Sequence, residues 1–157
     1  MSENKNVIYE MMKTFFEQNV PYAKHTGIEL LEIADGHGAA KLPDRSETTN
    51  HMGTQHAGAL FTLAEAASGA ASVFLFADKV TTVKAAIVEA NIAYLRSARG
   101  EIIAEGKLRQ SGAEILSTFN SDGKVEYMVD VVLKDSKDRE VCTMDVKWSI
   151  KSIVPAS

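Results

Sequence analysis

The first apolar pattern in the chain has helical spacing. Between residues 3 and 18, apolar side chains recur every three or four positions, at Val7, Met11, Met12, Phe15 and Phe16. This spacing predicts a short amphipathic helix whose apolar residues pack against the rest of the domain. Pro21 is expected to help end the helix, because proline cannot continue the backbone hydrogen-bond pattern.

The following stretch changes to a strand-like pattern and then to a loop. Two short strands are predicted at 27–33 and 37–42, and Asp35-Gly36 between them is a favourable hairpin pair. Residues 43–55 contain a proline, a glycine and many polar side chains, so they are predicted to form a loop.

Residues 56–77 form the most apolar segment of the chain and are predicted to be a long helix. Between residues 57 and 77 the only charged side chain is Glu65. A run of this length could cross a bilayer, but its many small residues, its central carboxylate and the lack of a basic anchor before it argue against a span. We therefore predict a helix buried inside the domain, thin enough for a sheet to approach closely.

Four segments with alternating apolar and polar residues follow the helix. We predict strands at 86–95, 101–109, 125–134 and 140–150, each with one apolar face. The predicted apolar faces contain Val88, Ala90, Ile92 and Tyr94; Ile102, Ala104, Gly106 and Leu108; Val125, Tyr127, Val129, Val131 and Leu133; and Cys142, Met144, Val146, Trp148 and Ile150.

The order of these patterns predicts the fold class. Half-buried strands joined by short polar connections, such as the turn at 121–123, indicate an antiparallel sheet. A long apolar helix followed by one-faced strands is best packed as an α+β domain, in which a curved sheet wraps the helix. We expect a single domain over residues 1–157, with an N-terminal helix at 1–20 and the central helix at 56–77.

Composition narrows the function classes. The chain has 157 residues, 45% of them hydrophobic and 24% charged, and a net charge of −4. Because no basic patch is visible, we expect no nucleic-acid partner. Cys142 is the only cysteine, which argues against a disulfide or a cysteine-based metal site. The polar N-terminal residues lack the apolar core of a signal peptide, so a cytoplasmic setting without a membrane partner is expected.

Four residues around the start of the central helix carry a family resemblance. Asn50, His56, Gly58 and Glu65, in the pattern N-x5-H-[AG]-G-x6-[DE], resemble the hotdog-fold thioesterases of the phenylacetate-pathway type. They also resemble a sister group of hotdog domains whose function is poorly defined. The resemblance covers most of the chain and includes the strand at 90–98 and the one after it. One position departs from the family, which usually has a glycine where this chain has Ala57.

The resemblance implies a hotdog fold and hydrolysis of an acyl-CoA thioester without a metal or organic cofactor. The Ala57 N–H, with His56 and Gly58 at the helix start, would hold the thioester oxygen. Glu65 would act as general base or nucleophile, and Asn50 would orient water or the carboxylate. In such enzymes two subunits share each site, so a homodimer or a dimer of dimers is implied, with Glu65 facing a cleft at the subunit interface.

Coenzyme A also carries phosphates, for which the chain offers four basic candidates. We consider Arg96, Arg99, Lys107 and Arg109 as phosphate ligands at the mouth of the pocket. The competing interpretation is that these side chains simply form a solvated strand face.

Several other interpretations of the same residues stay open. Glu65 could be a structural partner of Arg96, Lys107 or Arg109, and His56 is more readily a helix-start hydrogen-bonding residue than a base. A metal site built from His51, His56 and Glu65 does not match a known ligand spacing.

Two other functions are compatible with the predicted fold. The fourteen-residue separation of His51 and Glu65 resembles hotdog dehydratases, but the proline-rich loop of those enzymes is lacking. A non-catalytic domain that binds acyl groups or acyl-CoA is the main alternative to a thioesterase.

Overall fold

The computed structural model describes residues 2–154, with side chains from residue 6 onward except at residue 73. Residues 1 and 155–157 of the predicted domain lie outside this range. The helices are α1 (Ser2–Asn19), α2 (Pro21–Thr26), α3 (Ala57–Val73) and α4 (Gly112–Asp122). The strands are β1 (Glu29–Ala34), β2 (His37–Leu42), β3 (Val83–Tyr94), β4 (Ile102–Leu108), β5 (Lys124–Asp135) and β6 (Glu140–Ser152).

The six strands form one antiparallel sheet that wraps α3. Their order is β1-β2-β4-β5-β6-β3, so β1 and β3 are the edge strands. The helix α3 packs against β1, β2, β4, β5 and β6. This is the α+β architecture predicted from the alternating patterns, with the long apolar helix at the centre.

Small residues allow the helix and the sheet to approach closely. Ala64, Ala67 and Ala71 of α3 are fully buried. Below them, Gly38 of β2 and Gly106 of β4 are directly paired across the sheet. Since neither glycine carries a side chain, the backbone of α3 can lie almost on the sheet, as the alanine-rich sequence predicts.

The predicted inner faces of β4, β5 and β6 are confirmed, but that of β3 needs one correction. A β-bulge between Ile87 and Glu89 shifts the register of β3 against β6. Ala90 and Ile92 stay opposite the inward-facing Val146 and Met144, but beyond the bulge Ile87, not Val88, faces Trp148. Val88, predicted on the apolar face, is therefore exposed.

Two helices were not predicted. The connection between β4 and β5, expected to be a strand end and a turn, contains α4. Ser111 and Glu114 form its capping box, in which each side chain accepts a hydrogen bond from the other residue's backbone N–H. Gly123 ends α4 in the left-handed conformation, at φ 68°. Pro21 follows the first helix and also begins α2. A proline fits at this position because the N–H of the first helical residue has no partner within the helix.

The central helix is shorter than the predicted range 56–77. It ends as an α-helix at Val73 and continues as a 3₁₀ segment over Phe74–Lys79, with a break at Phe76. No helix in the described range is long and apolar enough to cross a membrane.

Candidate functional site

The N-terminus of α3 presents a backbone N–H to solvent. His56 is the cap residue, and its Nδ1 accepts a hydrogen bond of 2.9 Å from the Gly58 N–H. The Gly58 donor is therefore occupied, and a neutral His56 carries its proton on Nε2. The Ala57 N–H has no acceptor among the described residues, and Ala57 is exposed. The positive end of the helix dipole lies at the same place and further stabilises a negative charge near this N–H.

Two contacts hold this helix start in place. The Tyr94 hydroxyl, at the end of β3, donates a hydrogen bond of 3.1 Å to the Ala57 carbonyl oxygen. Gln55, which is buried, donates from its side chain to the Gly100 carbonyl at 2.9 Å and accepts from the Thr48 hydroxyl at 2.8 Å. Nothing distinguishes Gln55 within the predicted loop at 43–55; its positioning role follows only from these distant partners.

Asn50 shapes the loop that precedes the helix. Its side-chain oxygen accepts from the Met52 and Thr54 N–H groups at 3.0 and 3.2 Å, and its side-chain nitrogen donates to the Thr54 hydroxyl at 2.8 Å. All three contacts lie within the turn. His51, in the same turn, is exposed. A role for Asn50 in orienting water stays a prediction.

Glu65 lies on α3, at the border of an apolar cavity. Its side chain is exposed in the single chain, yet the removal of water by the surrounding apolar groups raises the pKa of its carboxyl. No hydrogen-bond donor or cation in the described part of the chain pairs with this carboxylate. The alternative interpretation, in which Glu65 is a structural ion-pair partner, includes Arg109 as one candidate cation. The Arg109 guanidinium instead binds Asp130 at 2.6 Å and Asp145 at 3.3 Å.

Ala57 and Glu65 are well separated along the helix. The two positions are eight residues apart in the sequence, which corresponds to about 12 Å along a helix axis. A hydrogen bond to a carbonyl oxygen and an attack on its carbon both require contacts of about 3 Å. One chain therefore does not bring these two groups to the same carbonyl.

The cavity beside Glu65 has a volume of about 550 Å³. Its walls come from α1, α2, α3, the 3₁₀ segment and the inner face of the sheet. Most of its lining side chains are apolar, including Met12, Phe16, Leu30, Ile33, Phe76 and Trp148. This volume lies within the range typical of small-molecule sites, about 300–1,000 Å³. The sequence predicts only that the apolar residues of α1 pack against the domain; their position on the cavity wall depends on the tertiary structure.

The four basic candidates do not form one group. Arg99 donates to the Gly53 carbonyl at 3.3 Å, and Arg96 is two residues after Tyr94, which bonds Ala57; both therefore lie near the start of α3. Lys107 is on β4 opposite His37, beside Arg109, toward the other end of the helix. The structure thus separates the pair Arg96 and Arg99 from the pair Lys107 and Arg109. In the described range, no group of three or more metal-ligating side chains occurs.

Comparison with known proteins identifies related chains. Residues 9–150 match the family described as Domain of unknown function (DUF4442). Over 92 residues the chain is 30% identical to a Halobacterium salinarum protein named "Putative esterase". This match covers 57% of the chain and spans about 60% of the length of that curated relative.

Solved structures share the fold. PA5026 of Pseudomonas aeruginosa, named a protein of unknown function and probable thioesterase, has a TM-score of 0.78 at 24% identity, covering 92% of this chain and 95% of its own. The thioesterase HI1161 of Haemophilus influenzae has a TM-score of 0.72 at 16% identity, covering 93% and 92%. The protein smu.793 of Streptococcus mutans, solved bound to acetyl-CoA, has a TM-score of 0.61 at 21% identity, covering 80% and 89%. These likenesses establish the hotdog fold.

Proposed function

Because the chain belongs to the DUF4442 family and has the hotdog fold of thioesterases, we propose that it hydrolyses acyl-CoA thioesters to a free acid and coenzyme A. The observation that carries the proposal is the position of Glu65: a carboxylate that pairs with none of the described residues, at the border of an apolar cavity, with a raised pKa. A cavity of this kind suits an acyl group, and a carboxylate beside it suits attack on the thioester carbonyl.

The chemistry divides between the carboxylate and the free N–H. Glu65 takes a proton from water as the water oxygen attacks the carbonyl carbon, or attacks that carbon itself to form an anhydride that water then opens. The Ala57 N–H stabilises the negative charge on the carbonyl oxygen. Collapse of this intermediate breaks the carbon–sulfur bond. The departing thiolate takes its proton from Glu65 in the first route and from the water that opens the anhydride in the second. The acid and coenzyme A are released.

Two chains are needed to complete this site. The separation of about 12 Å between Ala57 and Glu65 of one helix fits an arrangement in which each carbonyl meets the Ala57 N–H of one subunit and the Glu65 carboxylate of the other. The edge strand β3 is the proposed dimer contact. It ends near the start of α3 and exposes Val88 by 53% and Tyr94 by 49%. Pairing the β3 strands of two chains would cover the free β3 edge of each chain.

Coenzyme A would lie outside the cavity, near the start of α3. Of the four basic candidates, Arg96 and Arg99 are on the segment beside that helix start and are exposed there. The ion pairs of Arg109 with Asp130 and Asp145 compete with phosphate binding. We therefore assign the phosphate contacts to Arg96 and Arg99 rather than to Lys107 and Arg109.

A non-catalytic acyl-CoA-binding domain is the second candidate. Its support is Asn50, whose three side-chain hydrogen bonds to described residues all lie within the loop, so that the residue serves the turn there.

A hydrolysis screen over a panel of acyl-CoA thioesters, with detection of the released thiol, tests the proposal. We expect turnover with at least one acyl group, in the absence of added metal. Binding of acyl-CoA by calorimetry without thiol release would contradict the thioesterase and support the binding domain.

A further inference from the structure

The cavity beside Glu65 is a channel along one face of α3. Thr62, Glu65, Ala66, Gly69 and Ser72 all contribute to its wall, and they share the helix face that the spacing of three and four residues defines. The channel continues past the end of the α-helix to Phe76. Measured along the helix axis, Ser72 is about 10 Å from Glu65. A group attached to a carbonyl at Glu65 therefore has room to extend well beyond a short acyl group.

The hydroxyls of Thr62 and Ser72, the two polar uncharged residues of the α3 wall, bond within the helix. The Thr62 hydroxyl donates to the Gly58 carbonyl at 2.8 Å, and the Ser72 hydroxyl donates to the Ser68 and Gly69 carbonyls at 3.3 Å. Glu65 is the only charged side chain on the channel wall within the described range. The described wall adds only the hydroxyls of Tyr22 and Tyr127, so a charged acyl group would lose its hydration here with few partners in return, whereas a hydrocarbon would not.

The outer wall of the channel is the N-terminal helix. Met12, Phe15 and Phe16 of α1 face the cavity. The Tyr9 hydroxyl donates to the Leu31 carbonyl of β1 at 3.1 Å and so ties α1 to the sheet. Flexible methionine and phenylalanine side chains can adjust to an inserted chain.

Gly69 keeps the channel open one turn beyond Glu65. It is four residues after Glu65, or about 6 Å along the helix. A β-carbon at Gly69 would be 3.6 Å from Trp148 Cζ2, which is an ordinary contact. The indole cannot easily move aside, because its N–H donates to the Ser68 hydroxyl at 3.1 Å. A side chain longer than alanine at position 69 would therefore have to enter the channel.

We propose that the channel between α1 and α3 selects unsubstituted acyl chains of medium to long length, and that Gly69 is the residue that permits this length. This inference rests on the proposed thioesterase function only for the position of the carbonyl at Glu65. Chains that end before Gly69 do not use the channel. Longer chains pass the glycine and bury their methylene groups against α1 and Trp148.

The test compares Gly69→Leu and Gly69→Ala with the unchanged protein. Non-hydrolysable thioether analogues of acetyl-, butyryl-, octanoyl-, dodecanoyl- and phenylacetyl-CoA are titrated by calorimetry, and thiol release is measured with the matching thioesters. In the unchanged protein we expect affinity to rise about threefold to fourfold for each methylene that is buried. Gly69→Leu should lower affinity for dodecanoyl at least tenfold and leave butyryl within twofold. Gly69→Ala, which the structure accommodates, should give a smaller loss in the same direction.

Ala113→Leu on the exposed face of α4 is the matched control, since it adds a side chain of the same type at a residue that does not line the channel. It should leave the length dependence unchanged. Equal affinity for all chain lengths, a preference for phenylacetyl over octanoyl, or an equal loss at every length in Gly69→Leu would overturn the inference. Length-dependent binding without thiol release would instead reject the proposed hydrolysis and leave the inference standing.

Discussion

Gly106 of β4 lies against Ala67 of α3 so closely that a β-carbon at Gly106 would be 2.7 Å from the Ala67 carbonyl oxygen. Because both partners are backbone at the centre of the fold, neither can move without displacing the helix or the sheet. We expect Gly106→Ala to destabilise the protein by about 1–3 kcal/mol, the usual cost of overpacking. Urea unfolding followed by circular dichroism measures it, and an unchanged midpoint would show that the helix can lift from the sheet.

The same substitution should have the opposite effect at Gly69, which provides a matched comparison. Here the added β-carbon meets Trp148 at 3.6 Å, an ordinary contact, and the residue is inside a regular helix. Glycine loses more backbone freedom on folding than alanine, so Gly69→Ala should stabilise the protein by about 0.4–1 kcal/mol. A shift of the unfolding midpoint to lower urea would contradict this.

Glu65→Gln tests the catalytic assignment directly. The substitution keeps the size of the side chain and removes its negative charge. If Glu65 is the base or nucleophile, turnover should fall by roughly two orders of magnitude or more, with folding intact. A structural ion pair would instead produce lost stability with turnover per folded molecule little changed. Glu105→Gln, on the solvent-facing side of β4, is the control and should leave turnover unaltered.

The pH dependence of turnover should report the raised pKa of Glu65. The carboxylate form is active in the proposed reaction, so activity should decline as pH falls through this pKa, at a pH above the ordinary Glu value of about 4.3. A pH profile of kcat/KM measures the position of that decline, and an acid limb at or below the ordinary value would argue against the assignment.

The raised pKa of Glu65 also predicts how stability depends on pH. A carboxyl whose pKa is raised by folding holds its proton more tightly in the folded state. The protein should therefore lose stability as pH rises from the unfolded pKa to the folded pKa, and Glu65→Gln should remove this loss. Urea unfolding of both proteins measures this. The same difference in unfolding free energy between them below the unfolded pKa and above the folded pKa would contradict the predicted loss.

Dimer formation through β3 is tested by a charge at its exposed bulge. Val88→Lys places a lysine on the free edge, a device that discourages strand pairing. We expect the unchanged protein to sediment as a dimer at micromolar concentration and the variant to shift toward monomer and lose turnover. Leu31→Lys is the matched control, since Leu31 is also exposed at a bulge of an edge strand, β1. A monomeric unchanged protein would reject the proposed dimer.

Much of the fold can be read from the chain, because the alternation of side chains in a strand is a local property. The inner faces of β4, β5 and β6 follow directly from it, as does the long helix of small apolar residues. The capping box at Ser111 and Glu114 is also present in the sequence, but between the predicted strands 101–109 and 125–134 the only predicted element is the turn at 121–123. The bulge at Val88 is different: one extra residue in an otherwise regular alternation becomes visible only when β6 provides the partner register.

The candidate site depends more on the tertiary structure. The family resemblance implies roles for Glu65, His56 and Ala57, and the structure places Ala57 and Glu65 on α3 with His56 as its cap. The sequence could not indicate that Arg109 binds Asp130 and Asp145, because that contact joins three strands. Nor could it place Met12 and Trp148 on one cavity wall, since cavities are formed by elements distant in the chain. Local pattern determined which segments are helix and strand; the packing of α1 and the sheet around α3 decided what surrounds Glu65.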